Sequence, residues 1–205
     1  MALRFLSSMS FWVVLWLSLT VCAEARMPLS EFQNAELMAG NVVVDISTEQ
    51  RDGEVVIRAI VDIPVSTKTV WRAILDCKGA EVFLRHLESC KIIERGKNGR
   101  WDLRAHTVRW QWFLPRLQCV IRSDYIAHRQ IKFERVSGDL QSIAGQRELH
   151  PIRKGKVTRL IHEARIVTGS LVPGGLIRTI LKQDIIETPR SLRREAARRQ
   201  ARLRK

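Results

Sequence analysis

The stretch "GQRELHPIRKGKVTRLIHEARI", residues 145–166, carries an arginine and a histidine, Arg147 and His162, that a hairpin would bring side by side. Centring the hairpin near Lys154–Gly155 pairs Leu149 with Leu160, Arg147 with His162, Gly145 with Ala164 and Ile143 with Ile166. Strand side chains alternate between faces, so these eight residues share one face. The opposite face carries Gln146, Glu148, Arg159, Glu163 and Arg165 and is wet. The face that points inward is therefore apolar apart from Arg147 and His162. Three chemistries suit that pair. A histidine can move protons while an arginine stabilises developing negative charge, which is acid–base catalysis. An arginine in an apolar ligand cavity can instead be a polar handle for a phosphate, carboxylate or quinone carbonyl. It can also form a structural ion pair, with Asp184 as the candidate partner, since a buried arginine left alone is costly.

Two glycines, Gly138 and Gly145, sit seven residues apart in "RVSGDLQSIAGQRELHP". No helix follows Gly145 at the spacing a phosphate cradle needs. Gly138 suits a tight turn in "VSGD". Gly145 reads as a strand glycine, which marks a bend or a close approach and leaves room for a ligand or for simple sheet curvature.

Other reactive types form no recognised array. "GSLVPGG" lacks the spacing of a nucleophile elbow, and there is neither HExxH nor a Walker loop. Cys77, His86 and Cys90 make a C-x8-H-x3-C pattern that matches no common zinc site, so no metal and no cofactor is expected. Beyond the N-terminal segment the cysteines are Cys77, Cys90 and Cys119. Cys77–Cys90 closes the shortest loop and is the expected disulfide, the alternative being three buried small apolar residues.

These residues must be held by a domain of ordinary size. The chain has 205 residues, 45% of them hydrophobic, which suits one core, and no internal repeat is visible. Arg4 precedes an uncharged run of 19 residues from Phe5 to Ala23, followed by "AEA" ending at Ala25. That is an export signal over residues 1–25, or an uncleaved anchor, and either places the domain outside the cytoplasm, periplasmic or extracellular. Residues 26–37 are expected to be a linker.

"NVVVDISTEQ" and "EVVIRAIVDIP" alternate as strands around "RDG", a hairpin signal, with Val55, Ile57, Ala59, Val61 and Ile63 on one face. "VSTKTVWRAILD" changes period: Ser66 is an N-cap candidate, and Val70, Trp71, Ile74 and Leu75 form a helical stripe. "GAEVFLRHLES" is expected to be a second short helix. "CKIIER", two strands between Trp101 and Tyr125, and "QIKFERV", with Ile131 and Phe133 on one face, continue the sheet. "LIRTILKQDIIE" is helical, with Ile177, Ile180, Leu181 and Ile185 on one side. Thr188–Pro189 then kinks that helix or starts another, "RSLRREAARRQARLRK", a basic helical tail over 190–205.

"VRWQWFLPRL" alternates Trp110 and Trp112 with Arg109 and Gln111 before Phe113 and Leu114. Strand alternation buries both tryptophans. As a loop, the same residues suit a membrane surface. The net charge is +14, and the tail has eight basic residues against one acid after Pro189. Export and the lack of interleaved aromatics argue against nucleic acid. Anionic lipid headgroups are the better partner, with Arg193, Arg194, Arg198 and Arg199 as contacts, and a solvated helix end is the plainer reading.

The segments "VSTKTVWRAILD", "IKFERVSGDLQSIAGQRELHP", "TRLIHEARI" and "LVPGGLIRTILKQDIIETPRSLRREA" together resemble the START-like helix-grip superfamily (SRPBCC proteins), closest to its cyclase/dehydrase and coenzyme Q-binding subset, over about residues 38–197. The resemblance implies an α+β helix-grip fold: a curved antiparallel sheet wrapped around a long C-terminal helix, with two short helices after an early strand. It implies a ligand-binding domain over 38–189 and a lipid, quinone or polyketide-like ligand between sheet and helix. Arg147 stands where similar proteins often have an aromatic residue. Carrier function is the first expectation. A cyclase or dehydratase using Arg147 and His162 is the alternative, and a membrane-surface module using the tail is another. The expected cavity lining is Phe133, Gly145, Arg147 and Leu149 from the strands, Leu160 and His162 opposite them, and Ile177 and Leu181 from the helix. Oligomeric state is left open.

Overall fold

β7 (Ser142–Ile152) and β8 (Val157–Val167) pair in the expected register, Arg147 opposite His162 and Gly145 opposite Ala164. The computed structural model describes residues 29–48, 54–167 and 174–203, leaving out the side chains at 48, 174–178 and 180. The export segment and the "RDG" turn lie outside that set, as does the side chain of Ile177. No described helix is long and apolar enough to cross a membrane.

β1 (Val42–Thr48) and β2 (Val55–Ile63) pair antiparallel, and β2 then pairs with β8. β3 (Leu87–Arg95), β4 (Trp101–Val108), β5 (Leu117–Ile126) and β6 (Gln130–Gly138) complete one antiparallel sheet, ordered β1-β2-β8-β7-β6-β5-β4-β3. The sheet curves around α3 (Gly174–Arg202), giving the helix-grip architecture. The alternate β2 residues Val55 to Ile63 are all at most 5% exposed, as their shared face requires.

α2 (Thr67–Leu75) starts after Ser66 and buries Val70, Trp71 and Ile74. This stripe meets Val61, Leu149 and Leu160 from the sheet and Leu192 and Ala196 from α3, forming the main core. The expected second helix is reduced to a single 3-10 turn, Ala80–Val82. His86 then takes φ +64, a left-handed conformation that ends helical propagation, and β3 begins at the next residue. Cys77 is bonded to Cys90, with Cα atoms 5.4 Å apart, so the two residues weighed with His86 as metal ligands are joined to each other.

Two expectations need correction. Residues 31–39 form a helix, α1 (Glu31–Ala39), where a linker was expected. Ser30 and Gln33 close a capping box, and Leu37 packs on Ile60 and Ile161 on the outer face of the sheet. The 190–205 segment is not a separate tail through residue 202, because α3 runs through Pro189 without a break. A mid-helix proline forfeits a backbone hydrogen bond. Leu192 and Ala196 lie one turn apart beyond it and anchor the helix in the core.

Gly145 has an ordinary backbone conformation, so its role is space. A Cβ there would strike the Glu163 carbonyl and come within 2.7 Å of the Phe133 ring. The tip of the Phe133 ring fills the gap. Gly145→Ala is expected to cost about 1–3 kcal/mol in urea unfolding, through overpacking against backbone that cannot yield. Unchanged stability would mean that Phe133 does not need the gap.

Candidate functional site

A cavity of about 330 Å³ lies between the inner face of the sheet and α3. Its floor is the main core beneath α2. Above it runs a polar band of Arg104, His106, Tyr125, Arg147 and His162, and above that the walls are mostly apolar, with Ile57, Ile121, Phe133, Ile143, Ile166 and Leu181, and with Asp184 as the one carboxylate in the described lining. Trp110 rims the upper end. A larger, more open depression of about 480 Å³ sits on the opposite, wet face. There Arg58 lies 3.3 Å from Glu163, and Gln146 donates to Glu163 at 2.9 Å. The smaller inner cavity has the chemistry of a binding site.

β4 supplies the half of the polar band that sequence reasoning missed. Alternation puts Asp102, Arg104 and His106 on one face and Trp101, Leu103 and Ala105 on the other, and the polar set faces in. The Arg104 guanidinium donates from Nε and Nη2 to both Asp102 oxygens, at 2.9 to 3.1 Å. Nη2 also donates to the Leu75 carbonyl at the end of α2, at 3.2 Å. Tyr125 donates its hydroxyl to Asp102 at 2.7 Å. Burial pulls the Arg104 pKa down, but the Asp102 hydrogen bond and the charges of Tyr125 and Asp102 leave it raised. Burial, with the Asp102 hydrogen bond, pushes Tyr125 up to about 12.

Arg147 and His162 share the ring of Phe133. The Arg147 guanidinium lies 4.7 Å from the ring centroid, and the imidazole stacks on it at 5.7 Å and 14°. The expected ion pair with Asp184 does not form. Asp184 faces His86 at 3.2 Å and Arg85 at 3.8 Å instead, because the turn at His86 brings both against α3. Burial raises the Asp184 pKa against the pull of His86 and Arg85. No carboxylate pairs with Arg147 among the described residues. Burial, then the neighbouring Arg104 charge, pushes it down to about 10, so it stays protonated at neutral pH. Burial and Arg147 push His162 down to about 3, and burial with Arg104 and Arg147 pushes His106 to about 4, so both are neutral. His162 Nδ1 is buried without a hydrogen-bond partner.

Of the other expected lining residues, Leu149 is buried in the main core beneath the cavity and Gly145 lines the depression on the opposite face instead, because the Phe133 ring covers its inner side, while Leu160 and Leu181 reach the cavity wall. Cys119 is unbridged and also lines it, its thiol pushed up by burial. Burial of both tryptophans by strand alternation is overturned, since β4 ends at Val108 and residues 109–116 are a loop. Trp110 and Leu114 pack inward, whereas Trp112 is 82% and Phe113 58% exposed. The arginines expected at a membrane are partly engaged. Arg193 donates to the Gly40 carbonyl, and Arg199 pairs with Asp76 at 2.9 Å and with Glu195 at 2.8 Å. Arg194 bonds Ser191, and Arg198 approaches Glu195 at 3.7 Å, both remaining exposed.

A curved sheet gripping a C-terminal helix over an apolar cavity with a cationic band defines a START-like protein. The chain belongs to the polyketide cyclase / dehydrase and lipid transport family, whose model matches residues 63–193. No curated relative matches by sequence. Among solved structures, the Zhui aromatase/cyclase of Streptomyces sp. R1128 superposes with a TM-score of 0.62 at 16% identity, covering 71% of this chain and 95% of that one. The STAR-related lipid transfer protein of Xanthomonas axonopodis gives 0.63 at 14% identity, covering 77% and 94%. The lipid transfer and protein localization domain of human StarD13 gives 0.61 at 14%, covering 75% and 83%. At these identities the likeness speaks for the fold.

Proposed function

We propose that this protein binds and carries a hydrophobic small molecule in the helix-grip cavity, outside the cytoplasm. The observation that carries this reading is the largely apolar cavity above a polar band, with a guanidinium that no described side chain neutralises. Lipid transfer proteins and an aromatase/cyclase share the fold, which supports a lipid or polyketide-like ligand. The N-terminal apolar run and the Cys77–Cys90 bond support an exported protein, since disulfides persist in oxidising compartments. The cyclase or dehydratase alternative has Arg147 in place for developing negative charge. His162, pushed down to about 3 by burial and then by Arg147, is not protonated to act as an acid at working pH and is a weak base. Native mass spectrometry and organic extraction of the purified full chain test the carrier reading. A co-purifying lipid, quinone or polyketide is expected; an empty protein that also refuses a neutral apolar dye such as Nile red would end it.

A second reading adds the membrane surface as the place of loading. The favouring observation is the exposed pair Trp112 and Phe113 on the loop whose Trp110 rims the cavity. Aromatic side chains of this kind partition into the bilayer interface. The double substitution Trp112→Ala, Phe113→Ala is expected to leave stability unchanged and to weaken binding to vesicles with anionic lipid by about tenfold or more, given the apolar area withdrawn from the interface. Undiminished vesicle binding in a sedimentation assay would remove this loop from the reading.

A further inference from the structure

We infer that the cavity is built for a ligand with a single acidic head group, a carboxylate seated on Arg147, and with its apolar body running up the Phe133, Ile143 and Ile166 wall toward residues 109–116. The inference rests on the carrier reading and narrows it to one chemical class. Its basis is a charge count. Asp102 neutralises Arg104 through two hydrogen-bonded oxygens. Asp184 is taken by His86 and Arg85. Burial keeps His106 and His162 neutral, and Tyr125 holds its proton. Among the described residues one positive charge is left in the band, on Arg147, with the Phe133 face against it.

A desolvated charge without a counter-ion is unfavourable, so proteins pair such charges. Here the pairing group is the ligand's. One charge calls for a monoanion, and a planar fork of donors matches a carboxylate in two parallel hydrogen bonds. The arrangement also fixes direction. The polar band adjoins the packed core, and the residues toward the Trp110 rim are apolar apart from Asp184 on α3, whose charge Arg85 and His86 meet, so an amphiphile enters tail-outward.

The test is displacement of Nile red from the full-length protein at pH 8 by palmitate and by hexadecan-1-ol, which differ in the head group. A charge-assisted bond to Arg147 predicts that palmitate competes about 10- to 100-fold more tightly. The ratio should fall to near one in Arg147→Gln and stay well above one in Arg147→Lys, with dye uptake reporting an intact cavity in each. 1-Pyrenebutanoic acid against 1-pyrenebutanol repeats the comparison with a flat polycyclic body, so the two pairs separate a fatty chain from a polyketide-like ring system. Equal competition by acid and alcohol in both pairs, with dye still bound by the wild type, overturns the acidic-ligand inference and leaves the carrier reading standing. Absence of dye and of both acids from the wild type overturns the two together. Should Arg147→Gln fail to take up dye, the wild-type ratio and the Arg147→Lys variant decide.

Discussion

Asp102→Ala is expected to lose about 3–5 kcal/mol of folding stability, because it leaves the Arg104 guanidinium buried and unpaired. Asp102 is 3% and Arg104 7% exposed, so water cannot replace the lost carboxylate without opening the sheet. The damage should spread. Arg104 also binds the Leu75 carbonyl, and Tyr125 spends its hydroxyl on Asp102, so the same loss loosens the end of α2 and the β5 wall of the cavity. The informative companion is Asp102→Leu with Arg104→Leu. Removing both charges together should restore much of the loss, since a buried pair often contributes little net stability against an apolar replacement. Urea unfolding of the three proteins reads this directly. A single variant within 1 kcal/mol of wild type would mean that Arg104 finds another partner.

That network also explains why the site has two arginines with different roles. Arg104 is fixed by three elements and pays for its burial with Asp102. Arg147 stands nearby on β7, held by an aromatic ring and, among the described residues, by no acid. Burial first, and the Arg104 charge after it, lower the proton affinity of Arg147 and of His106. The structural arginine thus tunes the one that is free to bind.

The β7–β8 half of the site was legible because two independent signals agree there. A turn at Lys154–Gly155 fixes the register, and alternation of apolar and charged residues fixes the face. The β4 half was not. In "WDLRAH" the apolar residues alternate with Asp102, Arg104 and His106, and alternation alone points the wrong set inward. Only the partners, Tyr125 on β5 and the last carbonyls of α2, make an inward Asp–Arg pair tolerable, and sequence order does not show them meeting. Asp184 illustrates the same limit. It lies on the gripped helix, but the left-handed turn at His86 decides which cation it meets. α1 did leave a local mark, Ser30 three residues before Gln33, which is a capping-box spacing in a stretch otherwise too short and polar to stand out.

The end of α3 carries the second large effect. Leu192 is 4% exposed and packs in the core shared with α2, so Leu192→Ala is expected to cost about 2–5 kcal/mol. Deleting residues 190–205 should do more than shed charge. It removes Leu192 and Ala196 from the core, the Arg199–Asp76 ion pair, the bond from Thr69 to Gln200 at 2.7 Å, and the Arg193 contact with the end of α1. The truncated chain is therefore expected not to fold stably, and any loss of vesicle binding it shows would report unfolding rather than a missing membrane anchor. Arg194→Ser with Arg198→Ser separates the two, because both side chains are exposed and surface changes of this kind stay within about 0.5 kcal/mol. If that pair weakens vesicle binding at unchanged stability, the exposed flank of α3 touches lipid. A truncated chain that melts like the full one would instead show that the grip is complete before Pro189.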